Sequence, residues 1–217
     1  MTTPTWDPID ELSDEQREKI SAYESLLERF NRRVNLVSPE SAERIRTEHV
    51  RHSLSLTRRE FPDGVSIVDW GTGGGLPAIP LAIAFPGVTV YAVDSVGKKV
   101  RAVRTFARRL ELENLFAWNG RAEEWTGRAH YSVSRATAPL SDLWTWHSRV
   151  VEPVEEHGTG MWPPGLICLK GGNLTSEIQD LHRTSASVAV IEEELYPILG
   201  DDHFREKKIV TVTSSAS

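Results

Sequence analysis

Hydrophobic and polar positions divide the chain into a helical first part and a longer second part with a different pattern. Ser13-Asp14-Glu15-Gln16 has the form of a capping box, and apolar residues follow it at helical spacing from Ile20 to Phe30. Ser38-Pro39-Glu40 places a serine N-cap before a proline, which predicts a second helix that ends near Arg59. Residues 1–60 are therefore expected to form an N-terminal helical extension.

Residues 61–217 alternate between strand and helix patterns. Short runs of β-branched and apolar residues predict strands at 65–69, 88–94, 115–118, 131–134 and 165–169, and a last pair at 188–191 and 208–212. The runs 77–85 and 98–110 predict helices. This alternation is typical of an α/β fold with a doubly wound, mostly parallel sheet, to which the last pair adds an antiparallel edge. We expect the extension and this core to form one compact domain.

A glycine-rich loop, Gly71-Thr72-Gly73-Gly74-Gly75, follows the first predicted strand of the core. Such a turn lets a ligand approach the backbone closely, at the carboxyl ends of the strands. The third glycine of a dinucleotide-binding motif is missing, because Leu76 stands at its position, and Pro77 removes an N–H from the region that would hold phosphate. The pattern favours S-adenosylmethionine (SAM), which carries no phosphate, and predicts that Gly71, Gly73 and Gly75 line its site.

Two aspartates flank this loop in the predicted fold. Asp94 ends the second strand, where a carboxylate is suited to accept hydrogen bonds from the ribose hydroxyls of an adenosine. Asp69 precedes the loop and is placed to hold either the loop or the ammonium group of the methionine part. The alternative for each is a strand-end aspartate that caps the following turn.

The formal net charge of −6 argues mildly against nucleic acid as a partner, but basic residues cluster in two windows. Residues 94–109 contain Lys98, Lys99, Arg101, Arg104, Arg108 and Arg109 against a single acid. Residues 29–59 contain arginines at positions 29, 32, 33, 44, 46, 51, 58 and 59. Such faces either contact RNA phosphates or are simply solvated. His52 either touches RNA or packs beneath its helix. The tryptophans at positions 118, 125, 144 and 146 either stack on bases or, as we favour, fill the core or its rim.

The remaining composition points to a cytoplasmic protein without a structural metal. The single cysteine, Cys168, lies in an apolar run and is expected to be a reduced core residue. No Cys/His cluster has zinc spacing, so no metal is expected. No apolar run approaches the length of a membrane span, and the first residues lack the pattern of a signal peptide.

The glycine loop and its surroundings resemble the bacterial RsmG (also called GidB) family. The resemblance rests on the run 68–83 and, in family order over roughly residues 23–212, on shorter motifs at 31–38, 52–54, 94–99, 121–124, 134–136 and 169–172. Trp70 and Ser55 depart from the family's usual residues. The resemblance implies a Rossmann-like class I SAM-dependent methyltransferase that modifies N7 of one guanine in 16S ribosomal RNA.

Carried over by position, the resemblance assigns roles to individual residues. Gly71 and Leu76 would line the SAM pocket, Ala122 and Glu123 would flank the adenine, Arg135 would border the cofactor, and Lys170 would lie on the substrate side. The implied partner is 16S ribosomal RNA, the small ribosomal subunit or an assembly intermediate, and no obligate protein partner is evident.

The chemistry needs no general base, because guanine N7 has a free lone pair at neutral pH. Catalysis is then expected from positioning. A cation against N7 would oppose the reaction, so Arg135 and Lys170 are assigned to phosphate, guanine O6 or cofactor contacts. Lys98, Arg101, Arg104 and Arg108 are the candidates for RNA contact on the 98–110 helix. The alternatives are a SAM enzyme that acts on a small molecule or protein, and a non-catalytic nucleotide-binding module.

Overall fold

A seven-stranded sheet in the order β3-β2-β1-β4-β5-β7-β6 forms the centre of the computed structural model. The structure describes residues 6–38, 42, 44–135, 137–154 and 158–215. The strands are β1 (Ser66–Trp70), β2 (Thr89–Asp94), β3 (Leu115–Asn119), β4 (Tyr131–Arg135), β5 (Leu166–Gly171), β6 (Val188–Glu194) and β7 (Lys207–Ser214). β1 to β5 pair in parallel, and β7 pairs antiparallel with both β5 and β6. The predicted mostly parallel sheet with an antiparallel edge is confirmed.

The order of the strands reverses at β1, which lies between β2 and β4. In doubly wound sheets this reversal opens a crevice at the carboxyl ends of the strands. The glycine loop follows β1, Asp94 ends β2 and Arg135 ends β4. Residues far apart in the sequence therefore meet at the carboxyl ends of the strands.

Helices cover both faces of the sheet. α1 (Asp14–Val34), α3 (Ala78–Ala84) and α4 (Gly97–Arg109) pack together on one face, and α5 (Leu140–Val150) packs with α6 (Thr175–Thr184) on the other. Alternate residues of β1 serve the two faces: Ile67 joins the core beneath α3, while Val68 and Trp70 join the core beneath α5. The predicted helices 77–85 and 98–110 correspond to α3 and α4. α5, α6 and the short α7 (Tyr196–Leu199) were not predicted.

α1 (Asp14–Val34) begins where the capping box predicts. The Ser13 hydroxyl accepts a hydrogen bond from the Gln16 N–H, and the Gln16 side chain accepts one from the Ser13 N–H. The helix ends at Asn35, whose backbone is left-handed. Its buried face carries Ile20, Tyr23, Leu26 and Leu27, so the predicted apolar face is confirmed.

The second predicted helix is wrong in form. Its proposed start at Pro39 and Glu40 lies outside the described residues. From Ile45 to Arg51 the chain is a π-helix, followed by one α-helical turn, α2 (His52–Leu54), and a 3₁₀ turn, Ser55–Arg58. Burial of consecutive residues from Glu48 to Val50 and from His52 to Leu56 leaves no single apolar stripe of α-helical period, and tertiary packing overrides the local preference.

Cys168 is fully buried in the middle of β5, where it pairs with Ser134 of β4 and Val210 of β7. The expectation of a core cysteine is confirmed. Within the described residues, no helix has the length and apolar character that crossing a membrane requires.

Candidate functional site

A cleft of about 740 Å³ opens at the carboxyl ends of β1, β2 and β4. Its walls come from the glycine loop, from residues 93–96, from residues 120–123 after β3 and from Arg135 and Thr137 after β4. The extension supplies Leu36, Val37, Ser38 and His49. Of the predicted cofactor residues, the cleft brings together Gly71, Gly73, Leu76, Asp94, Ala122, Glu123 and Arg135.

The three predicted glycines have different surroundings, although all have positive φ angles, +72° at Gly71, +58° at Gly73 and +96° at Gly75. A Cβ atom at Gly71 would clash with the Thr137 side chain, and one at Gly75 would clash with Ile79. At Gly73 the nearest atoms would be 3.9 Å away, so its missing side chain leaves open space at the cleft. Gly75 does not line the cleft, which corrects that expectation: it lets the loop pack on α3.

The N-terminal extension supports the loop from behind. The Tyr23 hydroxyl donates a hydrogen bond to the Gly74 carbonyl oxygen at 2.9 Å, and burial raises the pKa of this phenol. Leu27 and Leu36 lie where a Cβ atom at Gly74 would stand. The loop is therefore held between α3 and α1.

Asp94 caps the turn that follows β2 and also lines the cleft. Its Oδ1 accepts a hydrogen bond from the Val96 N–H at 2.8 Å, which caps the turn into α4. Its Oδ2 accepts one from the Gly73 N–H at 2.9 Å, which ties the glycine loop to the end of β2. Because each carboxylate oxygen has a further lone pair and the residue lines the cleft, Asp94 can still accept from a ligand hydroxyl.

Asp69 lies beneath the loop, fully buried and outside the cleft lining. Its Oδ2 accepts a hydrogen bond from the Ala78 N–H at the start of α3. Burial raises the pKa of this carboxyl to about 7, against smaller opposite effects of Thr72, the Ala78 N–H and Arg135. This position fits a residue that holds the loop. It does not fit contact with the ammonium group of a ligand, because Asp69 does not line the cleft.

Arg135 and His49, which both line the cleft, contact each other. Arg135 Nη1 lies 2.8 Å from His49 Nδ1. A guanidinium has only donors, so His49 Nδ1 accepts and the ring carries its proton on Nε2. Burial, followed by the charge of Arg135, lowers the pKa of His49 to about 3, which keeps the ring neutral. Arg135 Nε is buried and has no hydrogen-bond partner among the described residues. His49 was not predicted as a site residue.

Two predicted substrate residues occupy structural positions. The Lys170 ammonium donates to Glu177 Oε1 at 2.5 Å and to the Ala138 carbonyl oxygen at 2.6 Å, with its side chain only 10% exposed. It thereby fastens the segment after β4 to α6, which corrects the substrate-side assignment. His52 is 5% exposed, packs edge-on against Phe204, and burial holds its pKa well below the usual value. Of the two alternatives for His52, this burial favours the ring that packs beneath its helix over contact with RNA.

The two basic windows differ in how many of their cations pair with carboxylates. Lys98, Arg101, Arg104 and Arg108 are exposed on α4, and none forms an ion pair with a carboxylate of the described chain. In the first window, ion pairs to glutamate or aspartate hold Arg32, Arg44, Arg46, Arg51, Arg58 and Arg59. The positive surface that remains is therefore mainly that of α4, and Lys99 of the same helix lines the cleft.

Comparison with known proteins gives a consistent family. The family model described as "GidB: rRNA small subunit methyltransferase G" matches residues 16–203. A protein of Salinibacter ruber named ribosomal RNA small subunit methyltransferase G is 56% identical over 215 residues, which cover 99% of this chain and 100% of the relative. A protein of the same name from Bacteroides fragilis is 38% identical, over 94% of this chain and 95% of the relative.

Solved structures give the same fold at low sequence identity. A ribosomal protein L11 methylase from Lactobacillus delbrueckii subsp. bulgaricus is similar with a TM-score of 0.56 and 13% identity, over 77% of this chain and 79% of the other. Fibrillarin from Aeropyrum pernix, solved with natively bound S-adenosyl-L-methionine, gives a TM-score of 0.53 and 14% identity, over 75% and 73%. The predicted class I methyltransferase fold is confirmed.

Proposed function

This chain belongs to the family of rRNA small subunit methyltransferase G and is a methyltransferase, and we propose that it methylates N7 of one guanine in 16S ribosomal RNA with SAM as donor. The observation that carries the cofactor assignment is the convergence of Gly73, Asp94 and Arg135 on one cleft. The acceptor assignment rests on the family.

The residues of the cleft fit SAM by their chemistry. The open space at Gly73 admits a ligand against the backbone, and Asp94 keeps lone pairs for ribose hydroxyls. Ala122 and Glu123 form the wall for the adenine. The unpartnered, buried N–H of Arg135 suits the carboxylate of the methionine part, since a buried donor without a partner is costly.

The proposed reaction requires little acid–base catalysis from the protein. Bound SAM would supply a methyl group already activated by a sulfonium, and guanine N7 attacks with its own lone pair. The protein is expected to accelerate the reaction by holding the two reactants in line, because correct positioning lowers the entropic part of the barrier. His49 contributes by accepting a hydrogen bond from Arg135, which fixes the guanidinium in the cleft lining, where its positive charge suits an anion.

The uncompensated cations of α4 supply the surface for RNA phosphates. Arg101 and Arg108 share the exposed face of the helix, and Lys98 and Lys99 extend it to the cleft. A negatively charged backbone is attracted to this face despite the net charge of −6 of the whole chain. The proposed substrate is 16S ribosomal RNA, free or within the small subunit or an assembly intermediate, and we expect the enzyme to act in the cytoplasm.

The function is tested with ribosomal RNA and 30S particles from a bacterial strain that lacks its own member of the family. Purified protein and methyl-labelled SAM are added, and the label is located by mass mapping. The expected product is one N7-methylguanosine in 16S RNA. Label in a protein or metabolite but never in RNA would support the alternative SAM enzyme. Calorimetry that detects NAD binding and no SAM binding would overturn the cofactor assignment.

A further inference from the structure

A row of aromatic rings connects the cleft with the exposed edge of the sheet. Trp146 lines the cleft, and its ring centroid lies 6.0 Å from that of Trp70. Trp125 follows at 5.5 Å from Trp70, and Tyr91 at 5.5 Å from Trp125. The row ends 5.9 Å further on at Phe116 of the edge strand β3, which is 53% exposed.

This part of the sheet is open because no helix covers it among the described residues. Between β3 and β4 the chain forms only the 3₁₀ turn Ala122–Glu124, while α5 packs on β4 and β5 and α6 packs on α5. Trp125 fills part of the gap, and Phe116 and the partly exposed Trp118 remain at its rim. The Trp118 ring lies over Gly120, which itself lines the cleft, so the open face continues into the site.

Cations stand on the other side of the same edge strand. Arg104 of α4 reaches the edge of β3, where its guanidinium donates to the Ala117 carbonyl oxygen at 2.9 and 3.1 Å. Arg101 and Arg108 are exposed on the same helix and are not paired with carboxylates of the described chain. The edge of the sheet therefore carries aromatic rings on one side and uncompensated positive charge on the other.

We propose that Phe116 and Trp118 form a stacking surface for unpaired nucleotides of the RNA substrate that neighbour the guanine in the cleft. This inference rests on the proposed function. Exposed aromatic rings and nearby cations together are a combination with which proteins bind single-stranded nucleic acid, because bases stack on the rings while phosphates contact the cations. A second copy of this chain fits less well, since a two-fold contact here would bring two α4 faces of like charge together.

The experiment measures binding of fluorescently labelled single-stranded RNA that spans the methylated guanine. Phe116→Ala is expected to raise the Kd for RNA roughly tenfold, within the range for the loss of one stacked base, and Phe116→Trp is expected to restore binding. The matched control is Ile191→Ala, because Ile191 is 55% exposed on β6, the opposite edge strand. The control and all Phe116 variants should bind SAM as the wild type does.

Three results would overturn the inference. The first is an unchanged Kd for RNA in Phe116→Ala, and the second is an equal loss of binding in Ile191→Ala. The third is a wild-type dimer in sedimentation that Phe116→Ala converts to a monomer, which would make this face a contact between copies. Failure of the proposed function is distinguishable, because the wild type would then methylate no RNA in the parallel assay.

Discussion

At the scale of single residues, the contact between His49 and Arg135 joins the N-terminal extension to the end of β4. His49→Leu removes the acceptor of a buried guanidinium N–H, which typically costs about 1–3 kcal/mol. We expect calorimetry to give a Kd for SAM about tenfold higher in this variant. His49→Asn should recover much of the affinity, because its amide oxygen also accepts.

A double-mutant cycle separates this coupling from a general loss of structure. Once Arg135→Ala has removed the guanidinium, His49→Leu should weaken SAM binding no further. Additive losses in the double variant would contradict the role given to His49. His182→Leu, at an exposed histidine on α6, is the control for loss of an imidazole outside the cleft.

Gly73 offers a second test at this scale. Gly73→Val places a side chain into the cleft, and we expect the Kd for SAM to rise at least about tenfold, equivalent to about 1.4 kcal/mol. The backbone penalty of a β-branched residue at positive φ is controlled by Gly64→Val, since Gly64 has a φ of +80° and no atom within 4 Å of its Cβ position. Equal SAM affinity in the two variants would exclude the proposed position of the cofactor.

Asp69 predicts a pH dependence of stability. Burial raises its pKa in the folded protein to about 7, above the ordinary value of 3.8, so the folded state favours the protonated carboxyl. The stability that this preference provides is present below pH 4 and is lost as the pH rises to about 7. The side chain of Asp69→Asn cannot ionise, so the variant lacks this loss of stability. As the pH rises through this window, its free energy of unfolding should increase relative to that of the wild type by up to about 1.4 kcal/mol per pH unit. Urea unfolding at several pH values measures this difference, and parallel curves would contradict it.

At the scale of elements, α4 carries more basic residues without a carboxylate partner, among the residues described, than any other helix. The double variant Arg101→Gln, Arg108→Gln should bind RNA more weakly and lower the salt slope by about 1.4, or about 0.7 for each phosphate contact to a single strand. SAM affinity should not change. The matched control neutralises Arg183 and Arg205, two exposed arginines that pair with Asp180 and Asp202. An equal change of slope in both double variants would argue against a specific role for α4.

Elements were predictable where their signal is local. All seven strands and the helices α1, α3 and α4 agree with the β-branched runs, the capping box and the apolar periodicity. The π-helix was not predictable, because its geometry follows from packing on several sides. α5 has buried residues at helical spacing, including Leu140, Leu143 and Val150, but its proline N-cap position and its tryptophans gave no start signal.

The candidate site was predictable only in its local part. The glycine loop and Asp94 stand out because they follow strands, and a strand end fixes where a side chain lies in the fold. His49 contacts Arg135, 86 residues away, and Tyr23 contacts Gly74, 51 residues away. No spacing in the sequence predicts either contact. Lys170 was misassigned for the same reason: its partner Glu177 lies on α6, a helix that was not predicted.

At the scale of the whole molecule, the extension belongs to the body of the enzyme. α1 packs on α3 and α4, Arg58 and Arg59 pair with Glu193 of β6, and the extension lines the cleft. We expect one cooperative unfolding transition. SAM at a hundred times its Kd should stabilise the protein by about 2.7 kcal/mol, which raises the Tm by roughly 5–11 °C for a chain of this size. Calorimetry that resolves two transitions, only one of them shifted by SAM, would mean that the extension folds separately.

The position of Cys168 has a practical consequence for measuring such opening events. Burial raises the pKa of this thiol to about 12, so in the folded protein at pH 8 it stays in the unreactive thiol form. β4 and β7 flank it on both sides, and the central sheet must separate before a maleimide reaches the sulfur. Because the chain has one cysteine, the rate of its alkylation measures the rate of global opening. For the same reason, a cysteine introduced on the surface can be labelled with a dye while Cys168 stays unlabelled in the folded protein.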